Sequence, residues 1–194
     1  PIIAVIPCRQ HYDFHPDIWK LELGGKSLLE RDISVCLESD LFDYIIVASD
    51  NEEARDVVEK YDSDRLHFFL RDRKDTIRTA SIVPMLHNVA KKFDPEMGGV
   101  TLIRYIQTPF VSKTVLEEAV CTLAVSDADS AIGVQEIKSQ IFSRDRYGLR
   151  PINVESDVSS DFDTLYGEAR TCLATKNKNF VSGSLTGPSV ASFV

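Results

Sequence analysis

The chain has 194 residues, of which 43% are hydrophobic and 27% are charged, and its formal net charge at pH 7 is -8. This length suits one domain that buries a full hydrophobic core, so we expect residues 1–194 to form a single globular domain. The net negative charge argues against nucleic acids or anionic membranes as general partners, because a protein that binds a phosphate-rich surface needs a patch of basic residues.

The four cysteines are far apart and form no CxxC pair: Cys8, Cys36, Cys121 and Cys172. This spacing indicates reduced, mostly buried thiols. No signal peptide precedes the first strand, and no apolar run approaches the roughly 18 residues of a membrane span. We therefore expect a cytoplasmic protein; because Pro1 stands first, an initiator methionine has been removed or the chain is a fragment.

Predicted strands and helices alternate through the first two thirds of the chain. In chain order they are strand Ile2–Ile6, helix Ser27–Ser39, strand Asp43–Ser49, helix 50–61, strand Leu66–Leu70, helix Thr79–Phe93, strand Val100–Ile106, helix 114–125 and strand Ala128–Gln135. Three pairs fit helix-capping boxes: Ser27 with Glu30, Asp50 with Glu53, and Thr114 with Glu117. The alternation predicts right-handed βαβ units in an α/β fold with three layers and a mostly parallel sheet.

The pattern changes after about residue 140. Residues 146–164 are polar and irregular, with no helical period. Residues 165–183 are predicted as a strand, a turn and a short helix, and residues 188–194 as a final strand.

Ligands of an open α/β sheet bind beyond the carboxyl ends of its strands. This rule selects four polar segments: Pro7–Trp19, Ser49–Asn51, Arg71–Ser81 and Gln107–Ser112. In the third segment Arg71, Arg73, Lys74 and Arg78 form the densest cationic stretch of the chain, which is either an anion site or a solvated charge run.

The other segments offer weaker signals. Arg9 directly follows the first strand. Its planar guanidinium group can bind a phosphate through two hydrogen bonds, or it can be an ordinary surface arginine. Gln107 and Thr108 offer neutral hydrogen bonds that suit a hydroxyl-rich substrate or form an ordinary polar turn. Thr79 and Ser81 can cap the next helix and also bond a base or ribose.

Alternate positions of the first loop hold possible metal ligands: His11, Asp13, His15 and Asp17. Histidine and carboxylate are plausible ligands for zinc or another transition metal, and in an extended conformation the four side chains would share one face. The alternative is a polar loop without a metal.

Six stretches together resemble the sugar cytidylyltransferases. They are IIAVIPCR, GGKSLLERDISVCLESDLFDYIIVASDNEEA, TASIVPMLHNV, TPFVSKTVLEEAV, ADSAIGVQE and LYGEARTCLATKNKNF, in the order of that family. The resemblance is greatest to the acylneuraminate cytidylyltransferases (CMP-sialic acid synthetases). It implies a Rossmann-like nucleotidyltransferase fold and a homodimer formed through a small protruding element at residues 138–165.

The resemblance also implies substrates and roles. A magnesium ion and CTP would be bound, and the anomeric hydroxyl of a nonulosonic or sialic-type sugar acid would attack the α-phosphate and release pyrophosphate. Arg9 and Arg71 would be catalytic. The nucleotide would be bound by Pro7, Cys8, Arg9, Ser49, Asp50, Thr79 and Ser81, and the sugar by Gln107, Thr108, Tyr166 and Glu168.

The first loop departs from the family pattern. His11, Tyr12 and Asp13 stand where the family has glycine, serine and lysine. Three functions therefore stay open: a sugar-acid cytidylyltransferase, a catalytically impaired binding or regulatory protein of surface-glycan biosynthesis, and a related transferase that uses another nucleotide. No metal ligands are assigned, since the family's acidic metal segment would follow Val194.

Overall fold

A computed structural model describes residues 1–12, 15–72, 74, 76–77, 79–153 and 164–194. The strands within these ranges are β1 Ile2–Cys8, β2 Glu22–Leu23, β3 Lys26–Ser27, β4 Tyr44–Ser49, β5 Leu66–Leu70, β6 Val100–Arg104, β7 Ser130–Ile137, β8 Phe142–Asp145, β9 Gly148–Pro151, β10 Leu165–Lys176 and β11 Val190–Phe193. The helices are α1 Leu28–Leu37, α2 Glu53–Val58, α3 Val83–Phe93, α4 Lys113–Val125 and α5 Lys178–Val181, and a 3-10 turn spans Ile18–Lys20.

A seven-stranded sheet with the order β11-β7-β10-β6-β1-β4-β5 forms the centre of the molecule. β1 pairs in parallel with β4 and β6, β4 with β5, and β7 with β11, whereas β10 is antiparallel to both of its neighbours. The predicted α/β fold with a mostly parallel sheet is confirmed.

Helices cover both faces of this sheet, which gives three layers. Ala4 and Ile6 of β1 face one buried cluster with α1, α2 and α4, while Ile3 and Val5 face a second cluster with α3 and α5. A strand that is buried on both faces reads as a continuous apolar run, which is why β1 was predictable.

Of the three predicted capping boxes, only the first is present. Ser27 Oγ accepts a hydrogen bond from the Glu30 amide at 3.2 Å, and Glu30 Oε2 accepts one from the Ser27 amide at 2.8 Å. The prediction that Asp50 caps the second helix is wrong. Asn51 Oδ1 accepts from the Glu53 amide at 3.0 Å, while Asp50 Oδ1 accepts from the Gln10 amide at 2.8 Å.

The helix starts near residues 79 and 114 also differ from the prediction. α4 begins at Lys113, so Thr114 already lies inside it, and Glu117 Oε1 instead accepts a hydrogen bond from Ser39 Oγ at 2.8 Å. α3 begins at Val83 rather than Thr79, directly before Pro84, because proline is well suited to the first turn of a helix.

Residues 138–153 contain a hairpin that the sequence pattern did not predict. β8 and β9 pair antiparallel in a separate two-stranded sheet, and nearly all their side chains are exposed. Residues 154–163 of the predicted protruding element lie outside the described residues. The assignment of this element to dimerisation stays a prediction.

The four cysteines are free, as predicted: Cys8, Cys36 and Cys172 are buried and Cys121 is exposed. Among the described helices, none has the length and apolar character needed to cross a membrane.

Candidate active site

A cavity of about 450 Å³ opens at the edge of the sheet where β1, β5 and β6 end. β10 runs in the opposite direction, so its amino-terminal half reaches the same edge. The lining residues are Pro7, Arg9, Tyr12, Arg71, Ile77, Ala80, Ile82, Tyr105, Gln107, Thr108 and Arg170. The size is within the range of about 300–1,000 Å³ that is usual for small-molecule sites.

Five of the predicted site residues line this cavity together: Pro7, Arg9, Arg71, Gln107 and Thr108. They come from segments that are far apart in the chain, and they meet because parallel strands present their carboxyl ends at one edge. The edge rule therefore correctly predicts that these five residues lie close together, and their roles stay predictions.

Two other predicted site residues are buried in the sheet and do not line the cavity. Cys8 and Ser49 are partners in the β1–β4 register, and both are fully buried. Burial raises the pKa of the Cys8 thiol to about 12, with a hydrogen bond to Ser49 acting in the opposite direction. Cys8 is therefore a neutral thiol, and neither residue is among those that line the cavity.

Thr79 and Ser81 flank the cavity wall without being part of it. Thr79 is exposed, and Ser81 Oγ accepts a hydrogen bond from the Val83 amide at 3.2 Å at the start of α3. The intervening Ala80 and the following Ile82 line the cavity. The nucleotide role of Thr79 and Ser81 stays a prediction.

The predicted sugar-side residues of β10 also lie outside the lining. Tyr166 is paired with Glu136 of β7 and is 55% exposed. Glu168 lies closer to the cavity, with its Oε2 3.9 Å from the Nε of Arg170. Burial and, to a smaller extent, Glu168 raise the pKa of Tyr105 to about 12, while Arg170 opposes the shift, so both charges lie near this cavity residue.

The two predicted catalytic arginines line the cavity at β1 and β5. The Arg71 backbone amide donates to the Ser49 carbonyl at 2.8 Å, and its side chain is largely buried. Burial lowers the pKa of Arg71, whereas Asp50 and Tyr12 oppose the shift. Arg9 Nη1 donates to the Thr76 carbonyl at 3.4 Å. Two guanidinium groups in one wall favour a ligand with several negative charges.

The remaining cations of the predicted cluster are less informative. Lys74 Nζ lies 2.9 Å from Asp72 Oδ2, and both side chains are largely exposed. Arg73 and Arg78 lie outside the described residues.

Tyr12 of the first loop lies against Arg9. The Arg9 guanidinium lies 4.9 Å from the centre of the Tyr12 ring. Tyr12 Oη accepts from the Arg9 amide at 3.4 Å and donates to the Pro7 carbonyl at 3.5 Å. Burial raises the pKa of Tyr12, so the phenol is neutral. An aromatic ring thus forms part of the cavity wall beside Arg9.

The first loop folds back on itself instead of running extended. His11 pairs with Pro16 in an isolated β-bridge, and the Asp17 amide donates to the Gln10 carbonyl at 2.7 Å. The described members of the possible metal set, His11, His15 and Asp17, therefore do not share an extended face; Asp13 lies outside the described residues. Nowhere in the described part of the chain do three His, Cys, Asp or Glu side chains form a group that could hold a metal ion.

Two arginines of the site were not predicted from the sequence. Arg104, at the end of β6, is fully buried, and its guanidinium donates to Thr108 Oγ1 at 2.8 Å, to the Thr108 carbonyl at 2.5 Å and to the Thr171 carbonyl at 3.1 Å. Arg170 lines the cavity from a bulge in β10. Arg104 thus ties the loop after β6 to the part of β10 that carries Arg170.

Comparison with known protein families identifies the class of this chain. The family model described as "Cytidylyltransferase" matches residues 21–181, which is most of the chain. The chain belongs to the cytidylyltransferase family. No curated protein sequence is significantly similar to it. The wider family predicted from the sequence is therefore confirmed, whereas the particular closeness to acylneuraminate cytidylyltransferases stays a prediction.

Solved structures share the fold of this cytidylyltransferase. The 4-diphosphocytidyl-2C-methyl-D-erythritol synthase of Anaerococcus prevotii has a TM-score of 0.68 and 17% identity, with 99% of this chain and 87% of that chain covered. A CMP:2-keto-3-deoxy-manno-octonic acid synthetase, solved with CTP, has a TM-score of 0.71 and 13% identity over 99% and 88% of the chains. The 2-C-methyl-D-erythritol 4-phosphate cytidylyltransferase of Francisella tularensis has a TM-score of 0.63 and 15% identity over 98% and 89%.

Proposed function

We propose that this protein transfers the cytidylyl group of CTP to a hydroxyl group of a sugar acid and releases pyrophosphate. Its membership of the cytidylyltransferase family supports the reaction and the nucleotide. The observation that carries the proposal is the composition of the cavity, which has Arg9 and Arg71 along one part of its wall and Gln107 and Thr108 along another.

The reaction joins the acceptor oxygen to the α-phosphorus of CTP. The bond between that phosphorus and the oxygen bridging to the β-phosphate breaks, pyrophosphate carries away its electron pair, and the hydroxyl proton passes to solvent. Such transfers depend mainly on positioning and on neutralising the phosphate charge. Arg9 and Arg71 supply positive charge, and Arg71 is held in place by burial and by its backbone hydrogen bond to Ser49.

A magnesium ion is part of this proposal. When bound, it would neutralise charge on the phosphates. Magnesium is commonly held by one or two carboxylates together with substrate phosphates. Asp50 lies near Arg71, outside the residues that line the cavity, and is the carboxylate that would hold the ion together with the phosphates of the nucleotide. Its Oδ1 accepts from the Gln10 amide, which also fixes the start of the first loop.

The acceptor would lie toward β6 and β10, where the cavity offers neutral hydrogen-bonding groups. Gln107 and Thr108 suit sugar hydroxyls, and Glu168 lies near Tyr105. β10 is separated from β1 by β6, which corresponds to about 10 Å across the sheet. This separation leaves room for an acceptor beside the nucleotide phosphates. A role in surface-glycan biosynthesis and a cytoplasmic location belong to the same proposal.

Tyr12 favours a second function, a catalytically impaired cytidylyltransferase-like binding or regulatory protein. Its ring occupies part of the cavity wall beside Arg9, in a loop for which the resemblance noted in the sequence implies glycine, serine and lysine. A ring cannot replace the close backbone approach that a glycine-rich phosphate loop gives. In this second function the cavity would bind a nucleotide or a sugar without transferring a cytidylyl group.

One assay separates the two functions. The protein is incubated with CTP, magnesium and a panel of sialic-type and other sugar acids, and pyrophosphate release is measured beside CTP binding by calorimetry. Turnover supports the transferase. CTP binding without turnover, under conditions in which an active relative works, supports the binding protein. Binding or turnover with a different nucleotide in preference to CTP would point to the third possibility, a transferase of other nucleotide specificity.

We also propose a homodimer that uses the β8–β9 hairpin. Exposed apolar side chains lie on or beside this hairpin: Phe142, Tyr147, Leu149 and Ile152. A two-stranded hairpin is marginally stable in water on its own, and exposed apolar patches mark interaction surfaces. A second copy of the chain would cover these side chains.

A further inference from the structure

We propose that Asp32 and Arg104 are positioning residues, and that the charge on Asp32 controls how firmly they hold the loop after β6. This loop, residues 105–108, carries Gln107 and Thr108 into the cavity wall. Neither Asp32 nor Arg104 is among the residues that line the cavity, so both would act through the loop. The kinetic part of this inference rests on the proposed function, whereas the hold on the loop is measurable without a substrate.

The Arg104 guanidinium connects the loop to α1. It donates to Thr108 Oγ1 at 2.8 Å, to the Thr108 carbonyl at 2.5 Å and to the Tyr105 carbonyl. Its Nη2 also lies 2.8 Å from Asp32 Oδ1, and both side chains are almost completely buried. The partners in the loop are neutral, so Asp32 supplies the negative charge of this arrangement. The attraction that keeps the buried guanidinium in place therefore depends on the ionisation of one carboxyl group.

The titratable and charged groups around this ion pair come from four elements. They are Arg104 of β6, Arg31 and Cys36 of α1, Cys8 of β1 and Cys172 of β10. Burial raises the pKa of each of the three thiols, so none of them carries a charge near neutral pH. Asp32 is thus the group of this set that can change its charge near neutral pH.

Asp32 is poised to take up a proton. Burial raises the pKa of its carboxyl to about 7, while Arg104 and, less strongly, Arg31 oppose the shift. Within the described part of the chain, the buried Oδ2 has no hydrogen-bond partner. A carboxylate oxygen that accepts no hydrogen bond is poorly stabilised in its charged form, which favours protonation.

The direction of the effect follows from linkage. Because Arg104 lowers the pKa of Asp32, the ionised carboxyl favours the arrangement in which Arg104 is held beside it. Protonation of Asp32 therefore favours release of Arg104 and, with it, of Thr108. The loop should be held more firmly above about pH 7 than below it. Global stability has the opposite sign, since a carboxyl whose pKa is raised by folding destabilises the protein as pH rises.

The first test follows the loop itself. The amides of Tyr105 and Thr108 donate to the carbonyls of Thr171 and Tyr105 at 3.4 and 3.2 Å, so their hydrogen exchange reports how firmly the loop is held. Protection factors, corrected for the intrinsic exchange rate at each pH, are measured by NMR at pH 6 and pH 8. Asp32→Asn keeps the shape of the side chain and removes its charge. Asp56→Asn, at an exposed position of α2, is the matched control.

In wild type and Asp56→Asn, protection of both loop amides should be about threefold or more higher at pH 8 than at pH 6. In Asp32→Asn it should be low and equal at the two pH values. The amide of buried Val47 in β4 reports global unfolding and should not gain protection at pH 8, which separates the loop from overall stability.

Two results would overturn the proposal. One is equal protection of the loop amides at both pH values in wild type, and the other is the wild-type pH dependence in Asp32→Asn. The wild-type measurement alone can reject the proposal, so it remains decisive even if Asp32→Asn does not fold.

Steady-state kinetics connects the loop to the reaction. With saturating CTP, magnesium and N-acetylneuraminate as the acceptor, wild-type KM for the acceptor should be about threefold or more higher at pH 6 than at pH 8. In Asp32→Asn this KM should be raised and independent of Asp32 ionisation, and Asp32→Glu should recover part of the wild-type profile. Titration of the substrates themselves is common to all variants and cancels in the comparison.

The two measurements distinguish a failure of this inference from a failure of the proposed function. No turnover by wild type with any sugar acid would reject the proposed function, and hydrogen exchange would still decide whether Asp32 controls the loop. Turnover whose pH profile is the same in wild type and Asp32→Asn would reject the positioning role and leave the transferase in place.

Discussion

Arg104 Nη2 and Asp32 Oδ1 lie 2.8 Å apart in an ion pair whose side chains are 0% and 2% exposed. Asp32 belongs to α1 and Arg104 ends β6, so the pair joins a helix to the edge of the sheet that carries the cavity. Burial raises the pKa of Asp32 to about 7, and Arg104 opposes the shift. Removing both charged groups from water costs free energy. The pair lies at the end of β6, where it fixes the start of the loop that follows.

Replacing Asp32 with asparagine should destabilise the protein by an amount that depends on pH. Between the ordinary aspartate pKa and about 7, folded wild type keeps a proton that the unfolded chain releases, so its unfolding free energy falls as pH rises. Asp32→Asn lacks this slope. Its destabilisation should therefore shrink by about 1.4 kcal/mol per pH unit within this window. Urea unfolding at several pH values measures it, and a destabilisation that stays constant or grows with pH would show that the carboxyl is ionised in the folded protein.

Replacing Arg104 alone should cost more than replacing both partners. At pH 8, above the pKa of Asp32 in the folded protein, Arg104→Met leaves the Asp32 carboxylate buried without its cation, for which we expect a loss of about 3–5 kcal/mol in unfolding free energy. In the double variant with Asp32→Leu, much of this stability should return, because apolar side chains of similar volume can replace a buried pair.

The double variant also separates stability from function. It still lacks the hydrogen bonds from Arg104 to Thr108 and Thr171, so KM for the acceptor should remain raised. Urea unfolding and steady-state kinetics on the same preparations provide both quantities. A double variant with wild-type acceptor KM would show that Arg104 has a purely structural role.

Arg9 and Arg71 should each contribute to CTP binding. Arg9→Gln and Arg71→Gln remove one guanidinium from the cavity wall, and each should weaken CTP binding about tenfold or more, as expected for hydrogen bonds between charged groups. Calorimetry measures the change, with Arg55→Gln as the control for loss of an arginine elsewhere. Wild-type affinity in either variant would remove that arginine from the nucleotide site.

Tyr12 is expected to restrict the nucleotide end of the cavity. Tyr12→Ala removes the ring that lies against Arg9, whereas Tyr12→Phe removes only the hydroxyl. If the ring occupies space needed by phosphates, Tyr12→Ala should bind CTP more tightly than wild type, and Tyr12→Phe should bind like wild type. Calorimetry distinguishes these results; weaker binding by Tyr12→Ala would mean that the ring itself contacts the nucleotide.

The hairpin gives a prediction about assembly. Leu149→Asp places a charge among the exposed apolar side chains of β8 and β9 and should convert a dimer into monomers. Light scattering after size-exclusion chromatography measures the mass, and Val125→Asp, at an exposed position of α4, is the control. A mass unaffected by Leu149→Asp would exclude this face of the hairpin as the dimer contact.

The central sheet was predictable because its strands leave simple patterns. β1 and β4 are buried on both faces and read as apolar runs, and polar residues at their ends mark the ligand edge. The starts of the helices were less predictable. Ser27 forms the predicted capping box, whereas the Asp50 carboxylate accepts a hydrogen bond from the Gln10 amide of another loop and does not cap its helix. Local sequence does not reveal a competing partner from another segment.

The parts of the site that sequence reasoning missed depend on tertiary pairing. In the sequence, Arg104 follows an apolar run and looks like the polar end of a strand; only its contact with Asp32 of α1 shows that it is buried. Arg170 reaches the cavity through a register shift against β7, which no local pattern marks. Ala80 and Ile82 line the cavity instead of Thr79 and Ser81, because side-chain direction in a loop is set by the folded backbone.

The proposed reaction is tested most directly by identifying its products. Purified protein is incubated with CTP, magnesium and a sugar acid, and phosphorus NMR follows the nucleotide with time. The proposal predicts a CMP-sugar and pyrophosphate in equal amounts, with the loss of both products in Arg71→Gln. CTP that binds yet stays intact with every sugar acid tested, while an active relative converts it under the same conditions, would contradict the proposed function.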